Sequence, residues 1–343
     1  MSLTKPQLSF SQIINMNVGF FGIQYSFGLQ QTAVGPLYSF LGAKEGELPL
    51  LFLAGPVTGL LIQPIIGAMS DKTWSPIYGR RKPFFLVGAI LCSLCLLAFP
   101  FSSSLWMAAG LLWILDAANN TAMEPYRAFI ADKLPTNQLA KGFLTQSFFT
   151  GLGITLANVS LFIFQSTIKG ASSVGIPYWV YGSFFVGSVC SIGSVLWSVS
   201  KTPEIPPSED ELAVLRASDR GFFTPFLEII EAIGDMPKVL WQLALVYLFQ
   251  WYALFCYWQY VPLSIARSVW NTSSEENLKL YEEAAAWTGL VNGFYNVITF
   301  LSAFFLVSLA KKFGPKWVHI VCLLAATVSL LILPTIQIGR AHV

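Results

Sequence analysis

Nine runs of mostly apolar residues, each about the ~20 residues that a helix needs to cross a ~30 Å hydrocarbon layer, constrain this chain more than any other feature. They lie near 9–32, 48–70, 83–102, 104–131, 142–165, 177–200, 238–265, 284–310 and 315–337. Apolar residues make up 55% of the sequence and charged ones only 11%, far from the usage of a soluble domain. The expected fold class is therefore all-α, a polytopic membrane protein whose partner is the lipid bilayer. A net charge of +2 carries no sign of a nucleic-acid partner.

Basic residues orient the runs. With the N-terminus in the cytoplasm, fourteen lysines and arginines fall on the inner side: Lys5, Lys72, Arg80, Arg81, Lys82, Lys133, Lys141, Lys201, Arg216, Arg220, Lys238, Lys311, Lys312 and Lys316. Only four, Lys44, Lys169, Arg267 and Lys279, fall outside, which is the bias cytoplasmic loops show. Met1–Phe10 is too short and polar for a cleavable leader, so the first run is expected to stay as the first helix. All five cysteines sit inside expected spans. Cys92 and Cys95 have redox-motif spacing but fall in a leucine run expected to face lipid, where redox chemistry is not expected.

The fourth span breaks the apolar pattern. At about 100° per residue, Asp116, Asn120, Glu124 and Arg127 share one arc of it. A charge at bilayer depth costs at least ~2.5 kcal/mol, so such a residue is a functional-site candidate, and the stripe points to transport; the plainer reading is an ion pair that holds helices together. A rise of 1.5 Å per residue puts Asp116 at ~16 Å, the midplane, and Glu124 and Arg127 at ~28 and ~33 Å, near the inner surface. Glu124 and Arg127 are spaced to pair with each other or with Asp71.

Residues 201–237 form the only long polar stretch and separate a six-span half (1–200) from a second, incomplete half (238–337). Ser208-x-x-Glu211 is a capping-box pattern that predicts a short helix, and Phe222–Ile233 is amphipathic enough to lie on the membrane surface. The odd number of spans suggests truncation. Residues 338–343 read as a non-native tail, and His342 is set aside with them.

The loop after the second span, Gly67-Ala-Met-Ser-Asp71-Lys72 and then Gly79-Arg80-Arg81-Lys82, resembles the signature of the major facilitator superfamily. That resemblance implies the twelve-helix facilitator fold, of which nine helices are present, with Asp71, Arg80 and Arg81 as an inner gate; their depth adds Glu124 and Arg127 to it. The insertion Thr73–Tyr78, with Gly22-Ile-Gln24-Tyr-Ser-Phe-Gly28-Leu-Gln30, Gly55-Pro-Val-Thr-Gly59-Leu-Leu-Ile-Gln63-Pro64 and Leu115-Asp116-Ala-Ala-Asn119-Asn120-Thr, is similar to the sucrose-transporter branch of the glycoside–cation symporters. Met123-Glu124-Pro125-Tyr126-Arg127 is similar to bacterial members, since plant members carry glycine in place of Glu124. The resemblance implies Asp116 as the proton site and a glucoside such as sucrose or maltose as substrate, with a proton as coupling ion and no other cofactor.

A disaccharide presents many hydroxyls and flat apolar faces, so its site needs amides and aromatic rings. The candidates are Gln24, Asn119, Asn120, Asn158, Gln250, Trp251, Asn292 and Asn296, although each amide alone could equally bond helix to helix. No metal-ligand spacing or nucleophile–base pair appears, which argues against an enzyme, and His319 stands alone. A monomer is expected. The alternatives are an exporter of the same fold, a sodium-coupled carrier and a channel.

Overall fold

The computed structural model describes residues 5–217, 224–273 and 275–332. Arg220, Phe222, residues 333–337 of the ninth expected span and the 338–343 tail with His342 lie outside the described residues. Among the described residues the chain is helical, with no strand. In order come α1 (Phe10–Phe40), α2 (Leu48–Leu51), α3 (Ala54–Asp71), α4 (Lys82–Ala98), α5 (Leu105–Lys133), α6 (Thr136–Thr167) and α7 (Tyr178–Lys201). Two short helices follow, α8 (Glu209–Ala217) and α9 (Thr224–Gly234), and then α10 (Lys238–Val269), α11 (Leu278–Phe313) and α12 (Pro315–Ile332).

Each expected span is met by a helix, the second by α2 and α3 together. The clearest boundary difference is α1, which runs on through Pro36 to Phe40. Caps are where side-chain chemistry allows them. Ser9 and Gln12 bond each other's backbone at the start of α1, Ser104 accepts from Met107 N at the start of α5, and Ser208 and Glu211 close the box that opens α8.

Helix α1 is the axis of the packing. It lies against α7 and α6, while α4 packs between α5 and α7, and α3 lies along α5. Helix α11 joins α6, α10 and α12. One contact shows how residue size sets these distances. A Cβ on Gly88 would sit 2.7 Å from the Ala118 carbonyl, so only glycine lets α4 approach α5 at that level. That approach turns Cys92 and Cys95 into the interior, where both are buried. The expectation that they face lipid is corrected: the lipid face of α4 is Val87, Ile90, Leu91 and Leu94.

Six stretches are long and apolar enough to cross a membrane: 45–71, 82–101, 136–167, 178–201, 238–269 and 315–332. The long helices missing from that set are α1, α5 and α11. In α1 and α5 the buried faces carry Gln24, Gln30, Asp116, Asn119 and Asn120, which lowers the hydropathy of those two helices.

Candidate functional site

Asp116 is 2% exposed and is the hub of a hydrogen-bonded cluster drawn from three helices. Gln30 of α1 donates from Nε2 to Oδ1, and Thr58 of α3 donates from its hydroxyl to Oδ2. Asn120, one turn along α5, donates from Nδ2 to Oδ2 and to the Thr58 hydroxyl, at 3.1 Å in each case. Gln63 donates to Asn120 Oδ1 at 2.6 Å, which fixes the end of that amide that faces the acid. On the other side Asn119 donates to Gln30 Oε1 at 3.1 Å and accepts from the Cys92 thiol at 3.4 Å. Every donor to Asp116 is neutral, and among the described residues no cation pairs with it.

A second polar cluster lies on the other side of α1. Thr32 donates to Asn158 of α6 at 2.6 Å and accepts from Asn292 of α11 at 3.4 Å, and Asn292 accepts from the Tyr257 hydroxyl of α10 at 3.2 Å. Asn158 and Asn292 are both buried. Thr32 follows Gln30 by two residues, so one turn of α1 carries both clusters.

The other amides expected around Asp116 are not brought to it. Gln24 is buried but donates to the Met123 sulfur at 3.1 Å. Asn296 donates to the Asn292 carbonyl of its own helix at 2.8 Å. Gln250 keeps a buried Oε1 with no partner. Trp251 is 47% exposed and stacks edge-on with Trp258, with Phe255 beside it.

Where α3 and α5 end and α4 begins, a charged cluster centres on Arg81, which is 4% exposed. Its Nη2 meets Asp71 Oδ1 at 2.5 Å, its Nε meets Asp132 Oδ2 at 2.7 Å, and its Nη1 donates to Ser70 Oγ at 2.5 Å. Burial works against the guanidinium's charge, but the bond to Asp132 and the attraction of Asp132 and Asp71 outweigh it, so its pKa lies above the ordinary value. Arg80 lies 3.8 Å from Asp71 and donates to its carbonyl. Glu204, just past α7, accepts from the backbone N–H groups of Arg80 at 2.7 Å, Arg81 at 3.0 Å and Lys82 at 2.9 Å, an anionic cap on the N-terminus of α4. Lys133 adds a bond to the Pro203 carbonyl. Gly79 is required beside this cap. Its φ is +79°, and a Cβ there would lie 2.5 Å from the Glu204 carboxyl carbon.

Glu124 and Arg127 pair with each other at 3.7 Å, both side chains more than a third exposed. Of the two pairings open to them from sequence, the structure has the local one. Sequence reasoning passed over Gln30, Thr58, Gln63, Asp132 and Glu204. The two glutamines carry the signal that selected Gln24, an amide in an apolar run. Thr58 carries none, and Glu204 caps residues more than a hundred positions away.

A profile of the Major Facilitator Superfamily matches residues 16–339. Among curated proteins, Sucrose transport protein SUT5 of Oryza sativa is 25% identical over 284 residues, covering 73% of this chain and 51% of the relative. Sucrose transport protein SUC4 of Arabidopsis thaliana is 25% identical over 329 residues, or 87% of this chain and 62% of its own length. Sucrose transport protein SUC3 of the same plant reaches 34% over 133 residues, 32% of this chain and 22% of that one. The chain thus spans roughly half to three-fifths of the length of SUT5 and SUC4. Among solved structures, a bacterial homolog of the human lysosomal transporter Spinster, inward-facing and unoccupied, aligns with a TM-score of 0.62 at 15% identity. It covers 89% of this chain and 63% of its own, a likeness of fold.

Proposed function

The chain belongs to the Major Facilitator Superfamily, and from that premise we propose that this multi-pass transporter carries a glucoside or disaccharide, of sucrose or maltose type, inward together with a proton. It does so across the cell's cytoplasmic membrane by alternating access. The observation that carries the reading is that Asp116, near the middle of α5, is buried and bonded only by neutral groups. Neutralising it strands no cation, so a proton can come and go there without breaking an ion pair. The relatives named as sucrose transport proteins support the substrate class.

In this reading residues 1–200 are the N-terminal half, with a cytoplasmic N-terminus, 201–237 the connecting loop, and 238 onward belongs to the second half. Asn119, Asn120, Asn158 and Asn292 supply donors and acceptors to sugar hydroxyls, joined by Gln24 of α1 and by Asn296, one turn on from Asn292 in α11. The free Oε1 of Gln250 accepts from a hydroxyl, and Trp251 offers a ring face. Asp71, Arg80 and Arg81 hold the inner gate, and Glu124 and Arg127 flank it.

The test is uptake of labelled sucrose and maltose by the whole protein in vesicles, with and without an imposed pH gradient. Asp116→Asn should retain sugar exchange and lose gradient-driven accumulation; Glu124→Gln should change turnover and keep accumulation. Accumulation that survives in Asp116→Asn and disappears in Glu124→Gln would reverse the assignment. Uptake driven by sodium alone would replace the coupling ion.

A further inference from the structure

We propose that the proton taken up at Asp116 resides on Oδ2, and that Thr58 is the positioning residue that accommodates it by turning its hydroxyl from Asp116 to the Gly55 carbonyl. The proposal rests on Asp116 being the proton site and assigns the atom and its partner.

The two carboxylate oxygens sit in different surroundings. Around Oδ1 the amides are locked in direction. The Cys92 thiol donates to Asn119, Asn119 donates to Gln30, and Gln30 donates to Oδ1. A proton on Oδ1 would point at the Gln30 amide nitrogen, which cannot accept. Gln30 would have to flip, setting its NH2 against that of Asn119, and the disturbance would pass on to Cys92.

Around Oδ2 the partner is a rotor. The Thr58 hydroxyl has one hydrogen and two acceptors in reach, Asp116 Oδ2 and the Gly55 carbonyl at 3.4 Å. With the acid ionised, the hydrogen points to Oδ2. When a proton adds to Oδ2, the hydroxyl turns to Gly55 and accepts from Asp116, while Asn120, oriented by Gln63, still donates to Thr58 Oγ. The hydroxyl then makes one donor bond and two acceptor bonds, its full complement. No heavy atom has to move and no heavy-atom bond changes. The proton arrives from the outer solution and leaves to the cytoplasm.

The groups facing Asp116 are Gln30 from α1, Thr58 from α3 and Asn120 from α5, with the Cys92 thiol of α4 behind Asn119. None of them is charged at neutral pH.

Infrared difference spectroscopy of the purified whole protein, titrated with acid and without sugar, reads both parts of the claim. The protonated Asp116 band is the carboxylic C=O stretch absent from Asp116→Asn; if no band is lost in that variant, the proton-site reading itself fails. With the proton on Oδ2, the C=O oxygen is Oδ1. Gln30→Leu should therefore raise the stretch frequency, and Thr58→Val should leave it nearly unchanged. Thr58→Val should also move the pH midpoint of the band up by about one unit, because the bond it removes is stronger to the ionised acid than to the neutral one. Thr58→Ser should restore the wild-type midpoint. A frequency rise in Thr58→Val but not in Gln30→Leu would place the proton on Oδ1. A wild-type midpoint in Thr58→Val, with the Asp116 band present, would remove Thr58 from the mechanism. Either variant alone decides which oxygen carries the proton should the other not fold, and the Thr58→Val and Thr58→Ser midpoints decide the role of Thr58.

Discussion

Asp116 and Asp132 belong to the same helix, α5, yet they are held in opposite ways. Asp132, its side chain 40% exposed in the last turn of the helix, takes the Arg81 guanidinium at 2.7 Å, and Arg81 takes Asp71 as well. Asp116, 2% exposed, takes only two amides and a hydroxyl. An acid bonded to a guanidinium cannot be neutralised without leaving a buried cation short of a partner. An acid bonded by amides and a hydroxyl leaves nothing stranded. The first arrangement suits groups that keep their charge, and the second suits a group whose charge has to change.

The comparison can be broken most severely by putting a second acid beside Asp116. In Asn120→Asp two carboxylates would share the space where Nδ2 now lies 3.1 Å from Oδ2. Repulsion of about 5 kcal/mol at that distance and an effective dielectric near 20 should cut uptake at neutral pH at least tenfold. Initial rates measured across pH check this, and a wild-type rate at pH 7 would mean the cluster is wetter than its burial indicates.

The next largest effect belongs to the inner cluster. Arg81→Leu leaves Asp71, Asp132 and Ser70 without their common partner and should lower stability by about 3 kcal/mol, less at high salt because both acids are partly exposed. Thermal unfolding in detergent at two salt concentrations reads both the size and the screening. Arg81→Lys should recover only part, since one ammonium cannot reproduce the fork.

Gly79→Ala should cost about 1–2 kcal/mol, for a positive φ that side chains adopt poorly and for the Glu204 carboxylate it displaces. If the loss comes through Glu204, a Glu204→Gln background should shrink it, which a double-mutant cycle measures.

The smallest change is expected of Asp71→Asn. The Asp71 side chain is 57% exposed and Arg81 keeps Asp132, so the variant should shift the conformational balance by no more than about 1 kcal/mol. Labelling of cysteines introduced on the outer cavity wall should fall by up to about fivefold. Unchanged labelling with lower expression would make Asp71 a folding residue.

The two regions also differ in how far the sequence discloses them. The inner cluster announces itself through a glycine-flanked acid and adjacent arginines, and the Glu124–Arg127 pair through its spacing along one helix. Span positions follow from the apolar runs, and the loop helix α8 from its capping residues. Asp116 is conspicuous because a lone acid in such a run is costly. Its partners are not. Thr58 is one small residue among many in an apolar helix, and only the angle at which α3 crosses α5 makes it a ligand of the acid. Gln24 and Gln30 read alike in sequence, yet helical phase turns one to the Met123 sulfur and the other to Asp116. Glu204 reads as a loop carboxylate because its partners lie more than a hundred residues away.

That cap on α4 has a mechanical consequence. Since Glu204 and Pro203 are bonded to the α4 N-terminus and to Lys133, the connecting segment is moored to the first helical bundle beyond the end of α7. Any tension arriving along the segment from α10 is delivered to the backbone of Arg80 and Arg81, where the charged cluster is built, before it reaches α7. The tether thus pulls on the very joint that holds the ends of α3, α4 and α5 together.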